Sequence, residues 1–403
     1  MPTILQINIV ANSGSHGKIA ESIGRLAIGK GWRSVIAYGR SATPSQNELI
    51  RIGGDKDIRE HVLESRLFDN HGLASRKATK RFVKQLKELK PDIIHLHVIH
   101  GYYLNYKILF EYLNTANNPV VWTFHDTWAY TGHCGHYGSI NCEKWKKQCE
   151  SCPLTWKDYP RSIIDRSEKN FILKKQLFTS NNNLYIVAVS NWLKQDVEQS
   201  FFRGKNIRVI HNGVDLEVFH PAEQSTTGRY RVLGVASQWG SLKGLKDFYK
   251  LREVLPIEKY EIILVGLSKK QKLQLPQGIK GIEKTESVEV LADLYSSANV
   301  FVNPTYADTF PTTNIEALAC GTPVVTYNTG GSPEAIDEKT GIVVEKGNIE
   351  GLLAAVETLS KKDRNELRYA CRNRAEKLYN KDDRYQDYIN LYEELLNEKS
   401  RSC

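Results

Sequence analysis

The sequence predicts an α/β protein with two Rossmann-like, doubly wound domains, and three observations carry that prediction. The first residues run Ile4-Leu5-Gln6-Ile7-Asn8-Ile9-Val10, break at Ser13-Gly14-Ser15-His16-Gly17, and continue with Ile19, Ile23 and Leu26 at helical spacing. Strand, glycine-bearing turn and helix in that order open a Rossmann-like unit. A comparable order returns in the second half, where Val300-Phe301-Val302 reads as a strand, a loop follows, and a helix through Glu316, Ala317, Leu318 and Ala319 stops at Gly321-Thr322-Pro323 before Val324-Val325. At 403 residues the chain is long enough for two domains of ordinary size, each with its own core.

The first domain is expected over residues 1–215. Its opening turn lacks a full G-x-G-x-x-G, so a dinucleotide site is poorly supported there. Further strands are predicted at Val35-Ile36-Ala37-Tyr38, Ile93-Ile94-His95-Leu96-His97 and Val120-Val121-Trp122-Thr123-Phe124. His125-Asp126 follows the last of these, at the carboxyl end of a strand, where α/β proteins place their ligand sites. His97 and His100 are weaker candidates for the same site. Tyr102, Tyr103 and Tyr106 could line a channel for a ligand, since aromatic rings stack on flat or sugar faces, or could fill the core.

A second domain is expected over 216–382, after the polar stretch from Glu217 to Thr227 and Gly228, beginning with the strand Tyr230-Arg231-Val232-Leu233-Gly234-Val235. Within it, Asp308 and Glu316 stand eight positions apart on either side of a helix start. Pro311 and the polar residues Thr312, Thr313 and Asn314 read as the first turn. A helix start presents unpaired backbone N–H groups and the positive end of the helix dipole, so it can hold a diphosphate without lysines. Glu316, about one turn in, could accept hydrogen bonds from two adjacent ribose hydroxyls, and Asp308 would lie nearer a sugar. The arrangement suits a sugar joined to a nucleotide; on spacing alone, an ordinary capping carboxylate and a solvated Glu would explain it equally.

Ordered matches along most of the chain add to that reading. The stretch Tyr306 to Ile336 resembles the E-x7-E region of glycosyltransferase family 4, whose members are retaining enzymes of the two-domain GT-B fold. Val187-Ala188-Val189-Ser190, then Val209-Ile210-His211-Asn212-Gly213-Val214-Asp215 with Phe219 and Pro221, resemble that family's interdomain stretch. Lys243-Gly244 resembles its Lys-Gly pair, Leu294 to Val300 its helix and strand before the carboxylate loop, and Gly330-Gly331 with Glu334 the end of its motif. The resemblance implies two Rossmann-like domains facing across a cleft, with a last helix, 383–403, crossing back to the first domain. It implies catalytic roles for Asp308, His125 and Glu316: His125 beside the transferred sugar, Asp308 orienting that sugar, Glu316 on the ribose. It implies donor binding by Gly17, Lys243, Thr312, Thr313, Asn314 and Glu316. The family usually carries an arginine six residues before the lysine, and here that position holds Ser237, which removes a guanidinium fork from the phosphates.

The activity so implied is transfer of a sugar from a nucleotide-sugar donor to a saccharide or lipid-linked saccharide acceptor in surface polysaccharide biosynthesis, with no cofactor required for catalysis. Two other classes stay open: a non-catalytic sugar-nucleotide-binding partner in a polysaccharide assembly complex, and a sugar-nucleotide epimerase of the same fold.

An insertion at about 130–155 is not required by such a fold. Cys134, Cys142, Cys149 and Cys152 are spaced C-x7-C-x6-C-x2-C, and the closing C-x2-C has the spacing of a zinc knuckle. Four thiolates would complete a structural zinc site; reduced or disulfide-prone thiols are the alternative. Cys320, Cys371 and Cys403 show no such pattern.

Composition is that of a soluble globular protein, 41% hydrophobic and 25% charged. No apolar run approaches the roughly 20 residues of a membrane span, and the start of the chain lacks the form of a signal peptide, so a cytoplasmic location is expected, at the inner face of the membrane if a lipid-linked acceptor is used. The formal net charge of +9 suits polyanionic or membrane partners. Ser75 to Lys90 mixes Arg76, Lys77, Lys80, Arg81, Lys84, Lys87 and Lys90 with Phe82, Val83, Leu86 and Leu89, a pattern for docking on an anionic membrane or for a solvated face. No nucleic-acid partner is expected.

Overall fold

The computed structural model describes residues 1–157, 159–222 and 228–401, and the chain divides into two compact units. One comprises Met1–Ile210 and the chain from Tyr385 onward; the other is His211–Arg384. Part of the stretch from Glu217 to Thr227, and Cys403, lie outside the described residues.

Among the described residues, the first unit is built on a seven-stranded sheet of β1 (Thr3–Ala11), β2 (Arg33–Ala42), β3 (Glu48–Arg51), β4 (Ile93–Leu96), β5 (Val120–Phe124), β6 (Leu184–Ala188) and β7 (Asn206–Val209). Its order is β3-β2-β1-β4-β5-β6-β7 and its pairings are parallel. The crossovers are α1 (Gly14–Gly29), α2 (Asp55–Phe68), α3 (Arg76–Leu89), α4 (Tyr106–Leu113), α5 (Ser167–Thr179) and α6 (Asn191–Gln199). β4 and β5 are buried along their whole length, as strands covered on both faces must be, which is why they read as continuous apolar runs rather than alternating ones.

The second unit repeats the scheme. Its six-stranded parallel sheet holds β8 (Tyr230–Val235), β9 (Tyr260–Val265), β10 (Ile279–Ile282), β11 (Val300–Asn303), β12 (Val324–Tyr327) and β13 (Gly341–Val344), in the order β10-β9-β8-β11-β12-β13. Its helices are α7 (Leu245–Val254), α8 (Lys269–Leu273), α9 (Val288–Ser297), α10 (Thr312–Ala319), α11 (Ile349–Ser360) and α12 (Arg364–Tyr379). In each sheet the strand order reverses once, between β1 and β4 and between β8 and β11. Such a reversal opens a crevice at the carboxyl ends of the two strands, because the flanking crossovers leave to opposite sides.

The last helix, α13 (Lys381–Arg401), completes the first unit's core from Tyr385 on. Tyr385, Tyr388, Ile389, Leu391, Tyr392 and Leu395 pack with Ile4, Ile23, Ile93, Val121 and Val187. Polar groups in that layer are paired: the Tyr392 hydroxyl lies 2.5 Å from His95 Nδ1, His95 Nε2 lies 2.8 Å from Thr123 Oγ1, and Thr123 donates to the Tyr388 hydroxyl at 3.2 Å.

In α3 the apolar stripe faces inward. Its Phe82 and Leu86, with Ala78, are buried in the first unit, so the apolar stripe belongs to the core and only the basic face is exposed. No helix among the described residues is long and apolar enough to cross a membrane.

Ile389 is fully buried in a layer contributed by both ends of the chain. Ile389→Ala is therefore expected to lower stability by about 2–5 kcal/mol in urea unfolding, whereas Leu273→Ala, at an 88% exposed position, should change it by less than about 0.5 kcal/mol.

Candidate functional site

In the second unit the candidate residues gather at the reversal between β8 and β11. The loop after β8 carries Ser237, exposed, then Trp239, whose buried indole donates to the Val265 carbonyl, then Lys243-Gly244. Gly244 has φ +69, and a Cβ there would stand 2.3 Å from the Pro304 carbonyl oxygen, so only glycine lets this loop lie against the loop after β11. Two bonds join those loops: the Tyr306 N–H and the Thr305 hydroxyl both donate to the Leu242 carbonyl. The result brings Lys243 Nζ to 2.7 Å from Asp308 Oδ2, across 65 positions of sequence. The ammonium is one-third exposed and the carboxylate about one-fifth, so the pair is partly shielded from water yet open to a ligand.

Asp308 is held from two further sides. Its Oδ1 accepts the Phe310 N–H at 3.3 Å, and its carbonyl accepts the Gly331 N–H at 3.2 Å. Gly330, φ +53, lies so close that a Cβ would meet the Asp308 carbonyl oxygen at 1.9 Å. Gly330 is therefore a steric requirement of the carboxylate loop.

At the start of α10 Pro311 is the cap residue and no side chain caps the helix, which leaves Thr312 and Thr313, both partly exposed, at a positive dipole end. Asn314 departs from expectation. Its side chain is fully buried, accepting from Asn303 at 2.8 Å and donating to the Ser332 carbonyl at 3.2 Å, and its N–H donates to Pro311. It braces α10 against β11 and the turn at Ser332 instead of presenting its amide to a ligand. Glu316, partly exposed, accepts a hydrogen bond from the Tyr295 hydroxyl at 3.0 Å. Glu334 lies with Oε2 3.5 Å from His211 Nε2.

The first unit has its own cluster at the reversal between β1 and β4. Gly17 is buried in the first turn of α1, beside Val10. His97, just after β4, bridges Gln6 of β1 (Nε2 to Oε1, 3.0 Å) and His125, just after β5 (Nδ1 to Nε2, 3.1 Å). The His16 ring stands 6.0 Å from that of His125. Burial, with neighbouring histidines adding to it, holds His97 and His125 well below the ordinary imidazole pKa, and lowers His16 to about 4. The cluster is thus neutral at physiological pH.

Beside it, His100 Nε2 lies 2.7 Å from Asp126 Oδ2. Burial pushes the Asp126 carboxyl up, but His100, His136 and the Trp128 N–H together hold it well below the usual carboxylate range. Of the two places open to the tyrosines, Tyr103 and Tyr106 take the core, both fully buried; Tyr102 is the partly exposed one, with its ring 5.0 Å from that of His71 and 5.6 Å from that of Tyr159.

Sequence reasoning missed Tyr295, His16 and His211 as members of these clusters, and it named His100 without its pairing to Asp126. Each lies inside a segment singled out for other reasons, and each acquires its partner from a distant part of the chain. The cysteines Cys134, Cys142, Cys149 and Cys152 are free thiols lining one small cavity, while Cys320 and Cys371 are buried and isolated from it.

The neutral histidines predict a pH dependence. With the folded pKa of His16 near 4 and an unfolded value near 6.5, the unfolded chain takes up the proton first as pH falls. Stability is therefore full above pH 6.5 and declines between 6.5 and about 4, by up to about 1.4 kcal/mol per pH unit for this group. Urea midpoints across that range should fall on acidification, and His16→Gln should flatten part of the slope.

Comparison with known proteins agrees with the two-unit fold. The family model described as Glycosyltransferase Family 4 matches residues 20–218, and that described as Glycosyl transferases group 1 matches residues 231–362. WcaC of Escherichia coli (strain K12), provisionally assigned as a colanic acid biosynthesis glycosyl transferase, is 25% identical over 97% of this chain and 100% of its own length. Sucrose-phosphate synthase from Thermosynechococcus elongatus superposes with a TM-score of 0.74 at 18% identity, covering 99% of this chain and 100% of that one. HepE of Anabaena in complex with UDP gives 0.67 at 14% identity, over 98% of this chain and 100% of its own. With the two family models spanning both parallel-sheet units and GT-B structures matching the fold, the chain belongs to the glycosyltransferases of family 4.

Proposed function

We propose that this glycosyltransferase is a retaining, metal-independent hexosyltransferase that moves a sugar from a nucleotide-sugar donor to a saccharide or lipid-linked saccharide in surface polysaccharide biosynthesis. The observation that carries the reading is the Lys243–Asp308 pair at the β8/β11 reversal, beside the uncapped start of α10 and one turn from Glu316. A diphosphate arriving at α10 meets amides and a dipole end, and draws on the Lys243 ammonium. Sharing that ammonium loosens Asp308, whose carboxylate can then accept hydrogen bonds from hydroxyls of the donor sugar. Glu316, aimed by Tyr295, receives the ribose hydroxyls.

Lys243 and the dipole stabilise the departing nucleoside diphosphate, so no divalent ion is needed to carry that charge. Retention rests on the family resemblance: the acceptor attacks from the face the phosphate leaves, and the phosphate takes its proton. Neutral His125, partly exposed and held by His97, suits contact with an uncharged sugar hydroxyl, since it can donate or accept without a net charge. The HepE structures contain UDP and UDP-glucose, WaaG is described as acting in lipopolysaccharide biosynthesis, and WcaC is provisionally placed in colanic acid synthesis; these support a nucleotide-sugar donor and a surface-polysaccharide role. The exposed basic face of α3 supports approach to an anionic membrane surface by charge alone.

The test is a panel of nucleoside diphosphates and nucleotide sugars in thermal shift and calorimetry, followed by nucleoside diphosphate release in the presence of EDTA. Lys243→Ala and Glu316→Gln should each weaken the stabilising nucleotide by about 10- to 100-fold, and NMR of the product should show the donor's anomeric configuration kept. A folded protein that binds no nucleotide at all would refute the donor site and leave a non-catalytic role. Donor consumption without an acceptor, yielding an altered sugar nucleotide, would indicate epimerisation.

A further inference from the structure

Among the described residues no three His, Cys, Asp or Glu side chains stand close enough to hold an ion, in the cysteine-bearing insertion or elsewhere. What the insertion delivers is Tyr159. The chain leaving the cysteines doubles back, with the Ser162 N–H donating to the Thr155 carbonyl at 2.8 Å, and docks on the C-terminal end of α2, where the Arg66 carbonyl accepts the Ile163 N–H at 2.7 Å. The Arg166 N–H extends that seam by donating to Asp69 at 2.9 Å. Tyr159, within this loop, has its hydroxyl 2.7 Å from His71 Nε2 and 3.4 Å from His100 Nδ1. His100 is the residue paired with Asp126, so the loop reaches the strand-end cluster of the first unit.

Tyr102 meets Tyr159 from the loop after β4. Its φ is +72, a left-handed conformation that a bulky side chain holds only when its surroundings impose it. Those surroundings are tight. Gly101, φ +105, lies against Ile9, and Gly39 lies against the Tyr103 ring, where a Cβ would stand 2.1 Å away. With Tyr103 sealed in the core, the neighbouring Tyr102 ring keeps exposed surface. The Tyr102 and Tyr159 rings stand 5.6 Å apart, and Tyr159 is 40% exposed. Core packing does not account for a ring that backbone strain keeps at the surface, whereas a sugar face packed against it does.

The same rim is cationic. Arg40 follows Gly39 towards the end of β2, and Arg66 lies in the part of α2 on which the Tyr159 loop docks; both are exposed. Burial pushes the Tyr102 hydroxyl up, and the guanidiniums of Arg66 and Arg40 pull it back, so both stand within electrostatic reach of the rings. Arg51, Arg76 and Arg81 are each paired, with Asp55, Glu64 and Asp57. Among the described residues the Arg40 and Arg66 guanidiniums have no such partner. Two unpaired guanidinium forks beside open aromatic rings match an oxyanion carried on a sugar.

We propose that Tyr102, Tyr159, Arg40 and Arg66 form an acceptor subsite that selects a saccharide bearing an oxyanion, either a uronic acid carboxylate or a sugar phosphate. The rings pack on the sugar face and the guanidiniums take the oxyanion, beside the His100–Asp126 pair. Calling the bound saccharide an acceptor rests on the sugar-transfer reading; the subsite itself lies within the first unit and uses none of the donor residues.

The experiment titrates the full chain with methyl β-D-glucuronide, glucose 1-phosphate, methyl β-D-glucoside and inorganic phosphate, by calorimetry and saturation-transfer NMR. At least one of the two charged sugars should bind about 10-fold more tightly than either the neutral glucoside or phosphate alone. A response to the glucuronide identifies a uronic acid, and a response to glucose 1-phosphate identifies the phosphate end of a lipid-linked saccharide. Arg40→Gln and Arg66→Gln, both at exposed positions that the fold tolerates, should each weaken the charged sugar by about 10-fold. Tyr159→Ala should abolish the preference for the charged sugar over bare phosphate, and Lys243→Ala should leave that sugar's affinity unchanged. Equal binding of charged and neutral sugars, loss of binding in Lys243→Ala, or no binding of either charged sugar would each overturn the subsite. Nucleotide binding on the same samples reports the donor site separately, since Arg40→Gln should leave it intact whether or not the charged sugars bind.

Discussion

Everything functional in this chain depends on one constraint: a parallel sheet covered by helices on both faces offers polar chemistry little room except at the carboxyl ends of its strands. Both sheets obey it. Their central strands are sealed, and each strand order reverses once, so a crevice opens where two neighbouring crossovers part. Lys243 and Asp308 flank that point in the second unit, and His16, Gly17 and His97 flank it in the first. The positions follow from strand order alone.

The two crevices solve opposite electrostatic problems. In the second unit Lys243 and Asp308 satisfy one another at 2.7 Å while keeping enough exposure to exchange partners. In the first unit burial dominates, and four histidines, His16, His95, His97 and His125, are driven neutral. Beside them the Asp126 carboxyl is held well below the usual carboxylate range, with His100 Nε2 2.7 Å away.

Much of this was legible in the residues themselves. The strand, turn and helix at the start of the chain, the helix start between Asp308 and Glu316, and the basic character of α3 follow from periodicities of two and 3.6 and from turn chemistry, which are local. The apolar stripe of α3 was legible too, but its destination was not, since an amphipathic helix reads the same whether it meets a core or a lipid surface. Tyr103 and Tyr106 were ambiguous for a similar reason: a tyrosine's ring fits a core as well as a sugar. Asn314 was expected at the donor from its place in the first turn and from the resemblance, and only the proximity of Asn303 and Ser332 turned it inward.

By itself, then, the sequence determined the alternation of strands and helices, the glycines at Gly244 and Gly330 that let loops touch, and the spacing that sets two carboxylates around a helix start. Which side chains meet was decided only by the tertiary structure. Lys243 and Asp308 are 65 residues apart, His97 and Gln6 are 91, and His133 and Asp69 are 64. The physical reason is that local dihedral preferences act over a few residues, whereas these contacts depend on strand order and helix packing. Those are settled by burying apolar surface across the whole unit, and the polar side chains take the positions that remain.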